Sequence, residues 1–190
     1  MESALIVSYT DKGTEFFTEL LSAASIHRTV SLKSCGEARR LLLERDFGLV
    51  IVNAPLPDES GESLARHIAG KGLSQVILAV RNEHFDTVSA ACEDYGVLAV
   101  AKPLHPTEFW AALSLAKAAY NRQARAQSED ERLKQRIEDI RVADRAKQLL
   151  IAHKSMDERE AHRYIEKQAM NARITKRAAA EKIIKTYEKS

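Results

Sequence analysis

The chain has 190 residues, 45% hydrophobic and 29% charged, enough for one well-buried core with an appendage or for two small domains. No apolar run approaches the roughly 20 residues of a bilayer span, the start MESALIVSYTD lacks a basic segment ahead of its apolar run, and Cys35 and Cys92 lie too far apart for metal-type spacing. These features predict a cytoplasmic protein with reduced, structural thiols, no metal and no membrane segment. The net charge of +2 is unevenly spread: residues 1–120 hold 11 Lys/Arg against 15 Asp/Glu, and residues 121–190 hold 18 against 12.

The first half alternates apolar runs with amphipathic segments. ALIVS (4–8) is a strand and TEFFTELLSAAS a helix; HRTVSL and CGEARRLLLERDF repeat the alternation. GLVIVN (48–53), SGESLARHIAGK, QVILAV (75–80), HFDTVSAACEDYG and VLAVA (97–101) continue it. The runs are continuously apolar, as strands covered on both faces must be. Strand–helix alternation with short connections predicts an α/β fold, a doubly wound parallel five-stranded sheet. Ligands of such sheets sit at the carboxyl ends of the strands, so Ser8, Asn53 and Val80 are expected to converge there.

From Pro106 onward the composition changes. All seven glycines precede residue 100, and Ala, Glu, Lys, Arg, Leu and Gln dominate the remainder. HPTEFWAALSLAKAAYNRQARAQSEDERLKQRIEDIRVADRAKQLLIAHK reads as one helix of nearly fifty residues. A heptad seam of Ala112, Ala116, Ala119, Leu133, Ile137 and Ile140, broken at Gln123 and Asp130, makes residues 106–140 a coiled-coil-type connecting helix. Asp157 with Glu160 forms a capping-box pattern for DEREAHRYIEKQAMN, and Thr175 is placed to cap KRAAAEKIIKTYEK. Alanine at helical spacing lets these segments approach closely as a small three-helix bundle.

NAPLPDESG and AKPL carry a family resemblance over residues 3–120. Pro57 and Gly61 match the DxxxPxxxG turn of CheY-like receiver domains, and Lys102-Pro103 matches the Lys-Pro step after the last strand. The remaining hallmarks depart from that pattern. Ser8 and Tyr9 stand where receivers carry an acidic pair, and Asn53 occupies the phosphoacceptor position. Val80 replaces the Ser/Thr after the fourth strand, and Val100 the aromatic switch residue. An amide is no nucleophile, and Mg²⁺ prefers carboxylate oxygens that these residues do not supply. Residues 1–120 therefore read as a pseudo-receiver, its phosphoacceptor site degenerate at Ser8, Tyr9, Asn53, Val80 and Lys102.

Residues 126–187 resemble the ANTAR domain, a three-helix RNA-binding module of bacterial antiterminators. Ala146-Lys147 and Leu149-Leu150 match its first helix, with Gln148 in place of the usual glycine. Glu160-Ala161, Gln168-Ala169-Met170 and Arg173 match the second helix, and Ala180 with Ile183-Ile184 the third. Residues 141–190 hold 13 Lys/Arg against 7 Asp/Glu, the footprint that a phosphate backbone requires. Lys147, Arg163, Lys167, Gln168, Arg173, Lys176 and Arg177 are the candidate contacts. The resemblance implies a dimeric antitermination regulator that binds paired stem-loops in leader RNA. Its pseudo-receiver would answer to a regulatory protein or ligand.

The competing reading is a protein-interaction adaptor that dimerises through the long helix without RNA. Catalysis and cofactors are not expected. HExxH, GxSxG and nucleotide-binding glycine patterns do not occur, and His27, His67, His84, His105, His153 and His162 are scattered.

Overall fold

The apolar runs become five parallel strands: β1 (Ser3–Ser8), β2 (Arg28–Leu32), β3 (Leu49–Asn53), β4 (Gln75–Arg81) and β5 (Leu98–Lys102). The computed structural model describes residues 1–72 and 74–188. The strands are ordered β2-β1-β3-β4-β5, so the chain reverses direction across the sheet between β1 and β3. In a doubly wound sheet that switch point opens a crevice at the carboxyl ends.

Side-chain alternation along the strands builds two cores. Leu5, Val7, Val50, Val52, Leu78 and Val80 pack with Cys35, Leu64 and Val88 from α2 (Cys35–Glu44), α3 (Glu62–Gly70) and α4 (Phe85–Glu93). Ala4, Ile6, Ile51, Ile77 and Val100 pack on the opposite face with Phe17 of α1 (Asp11–Ala23) and Phe109 and Leu113 of α5 (Pro106–Lys154). Both faces are dry, which accounts for the continuous rather than alternating apolar runs. Cys35 and Cys92 are free and buried, and burial pushes the Cys35 thiol up to about 12.

The sheet and its helices belong to a compact unit spanning Met1–Ala124; a second unit spans Arg125–Ser190. Helix α5 is 49 residues long and continues from the first unit into the second. The coiled-coil seam expected along it is corrected at its start. Ala112 and Ala116 are buried in the core under the sheet, so neither is available to a second helix. Leu133, Ile137 and Ile140 are 57%, 44% and 54% exposed.

The second unit comprises the end of α5, α6 (Glu158–Ala172) and α7 (Lys176–Tyr187). Asp157 and Glu160 close the capping box, each side chain bonding the other's backbone N–H, at 2.7 and 3.0 Å. Thr175 accepts from the Ala178 N–H at 3.2 Å. The core is Ala146, Leu150, Ala161, Ile165, Ala169, Ala179, Ala180 and Ile183, so alanine fills five of its eight buried positions. Among the described residues no helix is long and apolar enough to cross a membrane.

Candidate functional site

The switch point brings Ser8 and Asn53 opposite each other, as the last paired residues of β1 and β3. Asn53 Nδ2 donates to Ser8 Oγ at 2.9 Å, and that hydroxyl donates to the Thr10 carbonyl at 3.3 Å. Lys102, at the end of β5, donates through Nζ to the Ala54 carbonyl rather than to a carboxylate. Val80 is one residue beyond the partner of Asn53 on β4 and is part of the hydrophobic core. Tyr9 is exposed. Thr10, Lys12, Asn53, Lys102 and Leu104 line an open crevice here.

The nearest acidic candidates have other roles. Asp11 pairs with Lys33 at 2.8 Å. Asp58 accepts from the Cys35 and Gly36 amides at 3.1 and 2.8 Å, tying the turn after β3 to the start of α2. Burial opposes ionisation of Asp58, but those amides outweigh it and hold its carboxyl below the usual range.

Sequence reasoning passed over Gly13. A Cβ there would lie 2.5 Å from Asn53 Nδ2, 2.7 Å from Ser8 Oγ and 2.9 Å from Thr10 Oγ1. The first turn of α1 therefore sits against the Asn53–Ser8 bond only because residue 13 has no side chain. The flanking sequence TDKGTEFF gives no hint of this, since the tightest of these contacts, to Asn53, is long-range. Gly13→Ala is expected to lower stability by about 1–3 kcal/mol, as overpacking does, despite alanine's better helix propensity. A thermal melt at or above the wild-type temperature would contradict it.

Of the seven cation and amide candidates in the second unit, three are engaged within the unit. Lys147 bonds Asp144 at 2.8 Å and Glu158 at 3.1 Å and is only 17% exposed. Lys176 pairs with Glu166 at 2.6 Å. Arg177 bridges Asp139 at 2.9 Å and Glu181 at 2.8 Å. The hydrogen bonds to Asp144 and to Asp139 raise the pKa values of Lys147 and Arg177. Arg163, Lys167, Gln168 and Arg173 are exposed and unpaired among the described residues. Arg173 also ends α6 in the left-handed region, at φ 51°.

Residues 131–184 match the family model described as the ANTAR domain. The second unit carries an ANTAR domain. The first unit is similar to the signal receiver domain of an HD domain-containing protein from Pseudomonas fluorescens Pf-5, with 24% identity over 68% of this chain and 92% of that one, at a TM-score of 0.55. It is also similar to a CheY-like response regulator receiver domain from Methylobacillus flagellatus, with 22% identity over 61% and 98%, at 0.51. An adenylate cyclase structure from Rhodopirellula baltica matches at 19% identity over 70% and 97%, at 0.57. These identities establish a shared fold. No curated protein matches the chain. The chain thus joins a receiver fold to an ANTAR domain.

Lys102 gives the receiver unit a measurable signature. Burial, with a smaller contribution from Arg81, holds its pKa below the ordinary 10.5. Between the lowered folded value and 10.5 the unfolded chain binds more protons, so stability rises with pH across that window. Lysines raised by acidic partners, such as Lys33 beside Asp11 and Lys147 in the ANTAR domain, behave oppositely. Their contribution stays complete up to 10.5 and is lost above it. Urea titrations approaching pH 10.5 from below should show wild type gaining stability relative to Lys102→Met. Parallel pH profiles would contradict this assignment.

Proposed function

We propose that this chain is a cytoplasmic, RNA-binding antitermination regulator that acts as a homodimer on stem-loops in leader RNA. The observation that carries the reading is the ANTAR match at residues 131–184. The exposed, unpaired cations of that unit support it. Phosphate recognition releases counterions only where a cation is not already neutralised, so Arg163, Lys167 and Arg173 are assigned the contacts. Lys147, Lys176 and Arg177 are assigned to holding the three helices together.

The test is a titration of a two-hairpin leader RNA against its loop-scrambled twin at physiological salt. A preference of about 2 kcal/mol or more is expected of a loop-reading protein. Equal binding that vanishes as salt rises would favour the adaptor reading. The exposed Leu133, Ile137 and Ile140, spaced four and three residues apart on α5, support self-association in either case. Light scattering should give a dimer mass at tens of micromolar; a monomer there, with and without RNA, would remove dimerisation from the proposal.

The receiver unit is proposed to take no phosphoryl group at Asn53. The carboxamide cannot attack phosphorus, and Ser8 and Tyr9 offer no carboxylate for Mg²⁺. Incubation with acetyl phosphate and Mg²⁺ should leave no phosphoprotein by phosphate-affinity electrophoresis, and Asn53→Asp alone should not restore one. A band that disappears on mutating Asp11 or Asp58 would overturn this. Control is then assigned to a partner protein or ligand at the crevice bearing Asn53 and Lys102.

A further inference from the structure

One groove in the ANTAR domain sets exposed polar and cationic groups beside two aromatic rings at the edge of its core. It is lined by Lys154 from the end of α5, Tyr164 and Gln168 from α6, and Lys182, Ile183 and Tyr187 from α7. Both tyrosine rings are half-buried and held in position. Lys154 Nζ lies 4.5 Å from the Tyr164 ring centroid and donates to its hydroxyl at 3.1 Å. His153 stacks on Tyr187 with centroids 4.9 Å apart and planes 19° apart. The Gln168 amide and the Lys182 ammonium are exposed, and neither has a side-chain partner among the described residues. Along α6, Arg163 and Lys167 follow on the strip next to Tyr164 and Gln168, so positive charge continues from the groove lip onto the open face.

We infer that this groove receives one unpaired nucleobase, splayed from the loop of a bound stem-loop RNA. The base lies against Tyr164 and Tyr187, Gln168 reads its hydrogen-bonding edge, and Lys154 and Lys182 hold the flanking phosphates. Sequence-specific RNA recognition works through such unstacked bases, and pre-oriented rings lose little freedom on stacking. An acidic peptide would engage the lysines but make no use of the ring surfaces and the free Gln168 amide that line the same groove. The inference rests on the RNA reading above. It adds Tyr187 and Lys154, which the basic-residue pattern did not select.

The experiment starts from hairpins that share one stem and carry a randomised loop, selected on the full-length protein. Each loop position of the winning hairpin is then made abasic in turn. One abasic position should weaken wild-type binding about tenfold, the scale of base–aromatic stacking. The same position should cost Tyr164→Leu almost nothing further, because that variant has already lost the stack. Tyr164→Phe should retain both the affinity and the abasic penalty. Gln168→Ala, an exposed change that leaves the fold intact, should weaken base preference at that position alone. Ultraviolet crosslinking of the complex should modify the Tyr164 or Tyr187 peptide. A selected hairpin whose abasic penalties are the same in wild type and Tyr164→Leu, crosslinked elsewhere, would overturn the groove assignment and leave RNA binding standing. Failure to enrich any loop would overturn both.

Discussion

Replacing Leu150 with alanine will unfold the ANTAR domain while the receiver unit stays native. Leu150 is fully buried and is one of only three branched aliphatic residues, with Ile165 and Ile183, in that eight-residue core. A buried Leu→Ala change costs about 2–5 kcal/mol, the upper part of that range where neighbours cannot collapse into the void. The five alanines of that core have no rotatable side chain beyond Cβ with which to fill a void. A core of this size supplies about 3–5 kcal/mol in total, so the loss is comparable to everything that holds the unit together. Circular dichroism should lose helix at temperatures where wild type is intact. Trp110, the chain's single tryptophan, packed half-buried against the receiver core, should still report the wild-type transition. Leu150→Met should cost under about 1.5 kcal/mol, as volume-conserving changes do. A Leu150→Ala protein with full helix content would show that the small core is not what stabilises the unit.

The second large effect separates cations by what they already touch. On the RNA reading, Arg163→Ala, Lys167→Ala and Arg173→Ala combined should weaken stem-loop binding about a hundredfold at physiological salt. The salt slope should fall by about 2–3, close to one for each phosphate that is no longer neutralised. The matching triple at Lys147, Lys176 and Arg177 should keep most of that slope and lower the melting temperature instead, chiefly through Lys147. Lys147 is mostly covered, so its removal takes packed side-chain atoms as well as the bonds to Asp144 and Glu158 out of the unit. The bridges of Lys176 and Arg177 are more exposed. Solvent-exposed pairs of that kind contribute at most about 1 kcal/mol each. If both triples changed the salt slope equally, the division into RNA-binding and scaffold cations would fail.

Much of the fold was legible because its signals are local. Continuous apolar runs specify doubly covered strands, Asp157 and Glu160 cap a helix within three residues of each other, and the absence of glycine and proline after Pro106 allowed one helix of 49 residues. Gly61 is equally local: its φ of 91° and the approach of Val52 Cγ1 at 2.9 Å to a Cβ there explain the turn glycine. What the sequence did not reveal depends on partners distant in the chain. Lys147 and Lys167 are both lysines on amphipathic helices; Asp144 lies only three residues before Lys147, but the fold alone adds Glu158 from the next helix and covers that lysine, while Lys167 faces solvent. Ala112 and Ala116 fit a heptad as well as they fit the sheet, and the sheet took them because a buried apolar face was available within the same chain. Tyr187 gave no sign of its neighbours, since His153 lies 34 positions earlier and meets it only when α7 folds back on α5.

The alanine-rich centre of the ANTAR domain also constrains how this unit can vary. Where close backbone approach rather than side-chain bulk fills a core, nearly every replacement at Ala146, Ala161, Ala169, Ala179 or Ala180 is an enlargement, which the few larger residues of that core, Leu150, Ile165 and Ile183, could offset only by losing their own packing. Such a unit tolerates drift on its outside and very little within. Across lineages its descendants should keep those five small residues while their exposed side chains, and the RNA loops they select, diversify around an unchanged skeleton.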